Sequence, residues 1–324
     1  MTATLAPSQL SQLRCPDCAG ALEPRGGALI CDGCRRTYAL TGGIPRLLPA
    51  TLSREVDATR RGFGYQQTVI NDGALHPDRW HRQFASLRPV EPHWFAGRRG
   101  IDVGCGAGRF LYCSVGYGAT MMGLDLSAAV ETARRRIEDT ERCLIVQGDL
   151  HRAPLAPGSF DFAYSLGVLH HLPDPAAGFQ ALVRLVRPGG LVWCWVYGLE
   201  EMRWWYRVSH LRWLRPVTTR LPLAGQEFAT AVVTAGLELG LWAPTRLLGR
   251  LPGGRPLVER LPLSHACHFS FRAKMASVFD RLNPPLTHFH TKPELEDWCR
   301  RARLTDWQVV NRDGRGWLVW GRPA

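Results

Sequence analysis

The chain has 324 residues, 45% of them apolar, and a formal net charge of +12. That length supports one large domain with additions, and that apolar share supports a packed core. Only Lys274 and Lys292 are lysines, so the positive charge is almost all arginine, a bias that genome composition also produces and that is discounted as a sign of nucleic-acid binding. Residues Met1–Leu13 lack a basic start and an apolar run of the secretory type, and no stretch reaches the apolar length of a membrane span. The expectation is a soluble cytoplasmic enzyme.

Residues 1–50 carry Cys15-x-x-Cys18 and, twelve residues on, Cys31-x-x-Cys34. Two such knuckles bring four thiolates within reach of one tetrahedral metal, the closed structural zinc arrangement. Disulfides of a secreted protein and a redox pair are the competing readings, and the absence of a signal argues against both. The other six cysteines, Cys105, Cys113, Cys143, Cys194, Cys267 and Cys299, sit in mostly apolar patterns and are read as buried thiols. Residues 51–98 form a helical lead-in. They contain Phe63-Gly64-Tyr65-Gln66, read either as closing over a ligand or as simple packing on the sheet, and His81 and His93, read as surface histidines.

The most informative run is Ile101–Phe110, an apolar strand with Asp102 near its end, then Gly104, Gly106 and Gly108 at alternate positions and a helical pattern. A strand, a glycine turn and a helix start bring backbone close to an adenosine-containing ligand. The dinucleotide spacing Gly-x-Gly-x-x-Gly is not met, because Arg109 stands where the third glycine would be. Asp102 would repel a pyrophosphate and attract a sulfonium or ammonium cation. A second apolar strand ends in Asp125, about 20 residues past the glycines, where a carboxylate accepts ribose hydroxyls. A third runs into Gly148-Asp149-Leu150, and a fourth, Phe160–Ser165, leads to Leu166 and the pair His170-His171. Asp174 caps a helix with Pro175 at its first position, and Pro188-Gly189-Gly190 is expected to end it before a fifth strand, Leu191–Tyr197. Strands alternating with helices predict a doubly wound, Rossmann-like α/β sheet.

Residues 198–290 predict two or three amphipathic helices that cap the substrate side. Leu199–Leu214 interleaves Met202, Trp204, Trp205, Tyr206 and Trp213 with Arg203, Arg207 and Arg212. A buried lid, a membrane-interfacial or lipid-binding surface, and an RNA contact all remain open for it. Residues 291–324 return to the core. Thr291 and Glu294 read as a capping box, Leu295, Trp298, Cys299 and Ala302 as one helix face, and two strands as a hairpin around Asp313-Gly314.

The segments IDVGCGAGRF, GLDLS, QGDL, FDFAYSLGVLHHLPDP and LVRLVRPGGLV, covering about residues 99–197, resemble class I S-adenosylmethionine-dependent methyltransferases in order and spacing. The resemblance implies a seven-stranded sheet whose last strand is antiparallel, with the core built from residues 99–197 and 291–324. It implies that Asp102, Gly104, Gly106 and Gly108 surround the methionine part and sulfonium. It further implies that Asp125 holds the ribose, with Leu126 also a cofactor-binding residue, that Asp149 and Leu150 flank the adenine, and that Ser165 and Leu166 line the floor. The N-terminal segment, with Tyr38 and Gly43-Ile44-Pro45 after the knuckles, resembles the zinc-ribbon activator of tRNA and release-factor methyltransferases. It also resembles the ribbon fused to bacterial ribosomal-RNA guanine methyltransferases.

Methyl transfer to a small or lipid-like acceptor, with peripheral membrane association a further expectation, is the favoured function. An rRNA or tRNA methyltransferase gripping RNA through the ribbon is the alternative. No Asn-Pro-Pro-Tyr-type motif follows the fourth strand, and Asn283-Pro284-Pro285 lies elsewhere, which argues against methylation of an exocyclic amine in nucleic acid. His170 and His171 are the candidate bases, weighed against a purely structural role.

Overall fold

The computed structural model describes residues 5–70, 77–199, 212–254, 257–258, 261, 266–311 and 316–324. The ribbon segment gives four short strands: β1 (Leu22–Arg25), β2 (Ala28–Cys31), β3 (Thr37–Thr41) and β4 (Ile44–Leu47). The lead-in gives α1 (Arg54–Tyr65) and α2 (Pro77–Leu87). Strands then alternate with helices: β5 (Arg99–Val103), α3 (Arg109–Gly116), β6 (Thr120–Asp125), α4 (Val130–Arg136), β7 (Cys143–Gly148), β8 (Phe160–Leu166), α5 (Pro175–Arg184) and β9 (Val186–Tyr197). The cap holds α6 (Leu223–Leu237), a π turn over Glu238–Trp242, α7 (Ala243–Leu248) and α8 (Phe271–Leu282). The chain ends in α9 (Lys292–Arg301), β10 (Leu304–Asn311) and β11 (Gly316–Pro323).

Strands β5 to β8 are apolar on both faces because helices cover both faces of a parallel sheet. The core order is β7-β6-β5-β8-β9-β11-β10. Strands β5 to β9 run parallel, and β11 slots antiparallel between β9 and β10. This is the seven-stranded arrangement the sequence led us to expect, with its last strand reversed. The tip of the final hairpin, residues 312–315, lies outside the described residues. Asp174 caps α5 through the Ala177 N–H, with Pro175 at the first position, and the Thr291 hydroxyl accepts from the Glu294 N–H at the start of α9.

Two features differ from the sequence reading. Helix α5 ends at Arg184, and Pro188-Gly189-Gly190 does not stop a helix but bulges within β9, where the register against β8 shifts between Phe160 and Phe162. A Cβ on Gly190 would stand 2.5 Å from the Asp161 carbonyl, so only glycine lets the strand close there. The ribbon, which the sequence reading placed outside the core of residues 99–197 and 291–324, shares that core. Strand β4 pairs in parallel with β7 and extends the sheet. Leu13, Leu22, Leu29, Tyr38 and Leu47 are buried in one cluster with Val146, Leu150 and Leu155. Four short strands bury too little surface alone, and the edge of the large sheet supplies the rest.

The cap leaves the sheet and returns at one point. Gly198 bridges His290, and the Leu199 N–H and the Trp317 indole both donate to the His290 carbonyl. The six cysteines outside the ribbon are all buried. Of the two histidines taken as surface groups, His93 is exposed, but His81 is half-buried and bonds Tyr117 Oη at 2.9 Å.

Gly100 shows how tightly the core is filled. A Cβ there would lie 2.1 Å from Phe162 Cζ, and that ring is itself held by Phe95, Trp193 and Tyr164. Gly100→Ala is therefore expected to destabilise the protein by about 1–3 kcal/mol or more in urea denaturation. A variant as stable as the parent would contradict this packing.

Candidate active site

The carboxyl ends of β5, β6, β7, β8 and β9 open on one cavity of about 890 Å3. The glycine turn after β5 is pinned to the end of β6 by a hydrogen bond from the Gly106 N–H to Asp125 Oδ2 at 2.8 Å. Asp125 Oδ1 accepts from the Ser127 N–H and hydroxyl at 2.7 and 2.6 Å. Burial pushes the Asp125 carboxyl up, and these bonds oppose the shift. Gly104 has φ +77°, and a Cβ there would come within 2.3 Å of Val168, so this left-handed turn fits directly under the loop after β8.

Seven of the ten cofactor residues named from the sequence line this cavity: Gly104, Gly106, Asp125, Leu126, Asp149, Leu150 and Leu166. Asp149 Oδ1 caps the following turn through the His151 N–H at 3.0 Å. Asp102, Gly108 and Ser165 are not among the lining residues. The period-two alternation of a strand explains two of these: Val103 and Leu166 face the cavity, so their neighbours Asp102 and Ser165 face the other way. Ser165 is fully buried, and its Oγ has no hydrogen-bond partner among the described residues. Burial first, and the charge of Asp125 second, push the Asp102 carboxyl well above the usual carboxylate range. Gly108 serves packing: its Cβ would stand 3.1 Å from Ala133, where α3 meets α4.

The donor set fits S-adenosylmethionine. Asp125 Oδ1 is occupied by both Ser127 donors, but Oδ2 retains acceptor capacity for a ribose hydroxyl beyond its bond from the Gly106 N–H, and Asp149 retains Oδ2 for an exocyclic amine. Gln67 approaches Gly106 across the cavity, with 3.7 Å between its side chain and the position of a Gly106 Cβ.

The two histidines separate in space. His170 is fully buried, with its ring 4.0 Å from that of Tyr197, and is not among the cavity residues. His171 lines the cavity. Its Nδ1 lies 2.9 Å from the Leu286 carbonyl, which can only accept, so Nδ1 carries the proton and Nε2 presents a lone pair. Nε2 stands 3.9 Å from Asp280 Oδ1, and Tyr197 Oη donates to Asp280 Oδ2 at 2.8 Å. Burial lowers the His171 pKa below its usual value and Asp280 opposes, so the ring is neutral at pH 7. Phe63 packs on the His171 ring at 4.8 Å, which brings the Phe63–Gln66 segment to the site.

Asp280 and Tyr197 were not identified from the sequence. A signal was present in α8, where Ala273, Ala276, Ser277 and Asp280 recur at helical spacing and together line the cavity. Arg109, the residue that broke the dinucleotide pattern, also lines it.

In the ribbon, the four cysteine sulfurs lie within 4.8 Å of one another, with Cys15–Cys34 at 3.6 Å and Cys18–Cys31 at 3.4 Å. A tetrahedral thiolate site with bonds of about 2.3 Å requires sulfurs about 3.8 Å apart. Each knuckle turns through a left-handed residue directly after its second cysteine, Ala19 and Arg35. A Cβ on Gly20 would stand 3.0 Å from Cys31 Sγ, so glycine leaves the room that the cluster needs. The donors fit a closed four-thiolate metal.

Residues 101–194 match the methyltransferase-domain family. The ubiquinone biosynthesis O-methyltransferase of Thiobacillus denitrificans is 33% identical over 126 residues, covering 36% of this chain and 54% of that protein. The Pseudomonas aeruginosa protein of the same name is 26% identical over 166 residues, covering 48% and 69%. A solved S-adenosylmethionine-dependent methyltransferase from Mesorhizobium loti shares 33% identity over 36% of this chain and 53% of that chain, with a TM-score of 0.33. The chain spans about half the length of the first curated relative it matches.

Loss of the Asp125 carboxylate removes the anchor of the glycine turn and the Oδ2 position expected to accept a ribose hydroxyl, a charge-assisted bond of this kind being worth about 1.5–3 kcal/mol. Asp125→Ala is expected to weaken S-adenosylmethionine binding at least about tenfold in calorimetry. Unchanged affinity would contradict the placement of the ribose.

Proposed function

From the premise that residues 101–194 form a class I S-adenosylmethionine-dependent methyltransferase domain, we propose that the chain methylates a hydroxyl oxygen of a small, largely apolar acceptor beneath the helical cap. The observation that carries this reading is the shared cavity: Asp125 and Asp149 line the same space as His171 and Asp280. At about 890 Å3 it lies near the top of the roughly 300–1,000 Å3 range of ligand sites, enough for cofactor and acceptor side by side. The curated relatives named above are O-methyltransferases of ubiquinone biosynthesis, which supports a hydroxyl acceptor on an apolar molecule.

When bound, S-adenosylmethionine supplies a methyl group already activated on a sulfonium. The protein's task is alignment and proton removal. His171 Nε2 takes the acceptor's hydroxyl proton. Asp280, 3.9 Å away, offsets the imidazolium charge that results, and Tyr197 holds Asp280 in place. The Leu286 carbonyl fixes the tautomer. Phe63, Leu166, Val168 and Trp195 give the surrounding wall its apolar character. His170 positions the loop from behind, where its carbonyl accepts from the His288 N–H at 2.8 Å. The ribbon's part is structural, with zinc as its metal. The alternative of RNA held by the ribbon has less support, because the ribbon's last strand and apolar side chains are engaged with the sheet edge.

Methyl transfer to an alkylated catechol, a phenolic probe of this class, tests the reading. His171→Gln should retain cofactor binding and lose about 10²–10⁴-fold in kcat. The active form is the neutral ring, so the rate should fall as pH drops through a value below 6.5 and level off above it. A variant within twofold of the parent, or a flat acid limb, would remove His171 as the base.

A second outcome concerns the metal. Arg46 on β4 bonds Gln147 at 3.2 Å, and Gln147 donates to the Leu126 carbonyl at 3.2 Å beside Asp125. Elemental analysis should find about one zinc per chain. Its removal by chelation should lower both the melting temperature of the whole domain and the affinity for S-adenosylmethionine. Loss of the metal with neither effect would contradict the shared core.

A further inference from the structure

Helix α6 is built inside out. Its buried face carries Gln226, Thr230 and Thr234, the last two fully buried, while Phe228 is 73% exposed and Val232 55% exposed. The inward polar groups are satisfied locally: the Thr234 hydroxyl donates to the Thr230 carbonyl at 2.6 Å, Asn283 donates to the Thr230 hydroxyl at 3.3 Å, and Gln226 donates to the Leu221 carbonyl at 3.0 Å. Val233 and Leu237 pack inward on Trp242, Val278 and Leu282, and the exposed apolar residues form a stripe. Phe228, Val232 and Leu239 share one helix face by spacing. The π turn over Glu238–Trp242 inserts roughly one extra residue per turn, which returns Leu247, eight residues on, to that face. Leu239 is 77% exposed. Of the twelve large apolar side chains exposed among the described residues, ten lie between Trp213 and Phe271, so the exposure belongs to the cap and not to the surface at large.

Charge decides what this surface meets. Residues 213–254 contain only two acidic groups, Glu227 and Glu238. Both are turned to partners: Glu227 accepts from Tyr65 Oη, and Glu238 pairs with Arg246 and with Lys274 Nζ at 2.6 Å. Arg220 and Arg250 are exposed at either end of the stripe. An apolar helix face with acids withdrawn and arginines at its ends complements an anionic lipid surface, where the stripe enters the headgroup boundary and guanidinium groups meet phosphates. Pairing with a second copy would set arginine against arginine, with no exposed acid among residues 213–254 to offset them.

We propose that the α6–α7 face docks the protein on anionic lipid bilayers, lying in the plane of the interface. Helix α8 lies between this face and the cavity. One side of α8, with Ala273, Ala276 and Asp280, lines the cavity, and the other packs on the cap through Val278 and Leu282. Docking therefore sets the acceptor site one helix from the lipid.

Flotation of the full chain with phosphatidylcholine vesicles, with and without phosphatidylglycerol, tests this directly. Co-flotation should require phosphatidylglycerol and weaken as salt rises. The double variant Phe228→Ser, Leu239→Ser should lose at least about tenfold in vesicle binding while binding S-adenosylmethionine normally, since both side chains point away from the core. Arg220→Gln with Arg250→Gln should weaken binding most at low salt. No flotation with either vesicle would overturn the proposal, as would a dimer in sedimentation that the serine variant dissociates. Methyl transfer to the catechol probe, measured on the same preparation, separates failure of docking from failure of the proposed activity.

Discussion

The hydrogen bond from the Gly106 N–H to Asp125 does more than any other contact to define this molecule. It ties the turn after β5 to the end of β6, and the remaining geometry is arranged around that junction. Val168 closes over Gly104, Ala133 packs under Gly108, and Ser127 holds the other carboxylate oxygen. A carboxylate is costly to bury without donors. Its three protein donors offset much of that cost before any ligand arrives, so the carboxylate is held in place in advance.

The acceptor side follows a different logic. His171 comes from the loop after β8, Tyr197 from the end of β9, and Asp280 from a helix more than 80 residues further along. The cap's closed base, where Gly198 meets His290, brings them together. Desolvation keeps the imidazole neutral, and the carboxylate at 3.9 Å becomes an attractive partner only after the ring takes a proton. The same two groups therefore favour an unprotonated base at rest and a stabilised cation after proton transfer.

The division between what the sequence revealed and what it did not has physical causes. The glycine turn, Asp125 and Asp149 were legible as features of strand ends because that geometry is local: a few consecutive residues set both the backbone conformation and the side chains that line the cavity. Asp102 and Ser165 alternate with Val103 and Leu166, which line the cavity, and a one-residue difference in a strand reverses the face. The helical spacing of α8 sets Asp280 on one face with Ala273, Ala276 and Ser277, but bringing that face to Tyr197 and the cavity depends on a long-range return of the chain that no local pattern encodes. The ribbon's cysteines were plain from spacing, but its union with the sheet is made by a two-residue pairing of β4 with β7, a bridge from Leu13 to Leu155 and a shared apolar cluster, long-range contacts that leave no local sequence signature. The aromatic run at Met202–Tyr206 lies outside the described residues, and the apolar cap surface that the structure does show lies further along, on α6 and α7.

The central claim is that one cavity holds the cofactor and a small apolar hydroxyl acceptor. It is tested most directly by supplying methyl-labelled S-adenosylmethionine to the protein together with total RNA and an organic extract of cells. The account predicts label in the organic phase as a methyl ether. Label recovered in RNA, with none in the organic phase, would contradict it.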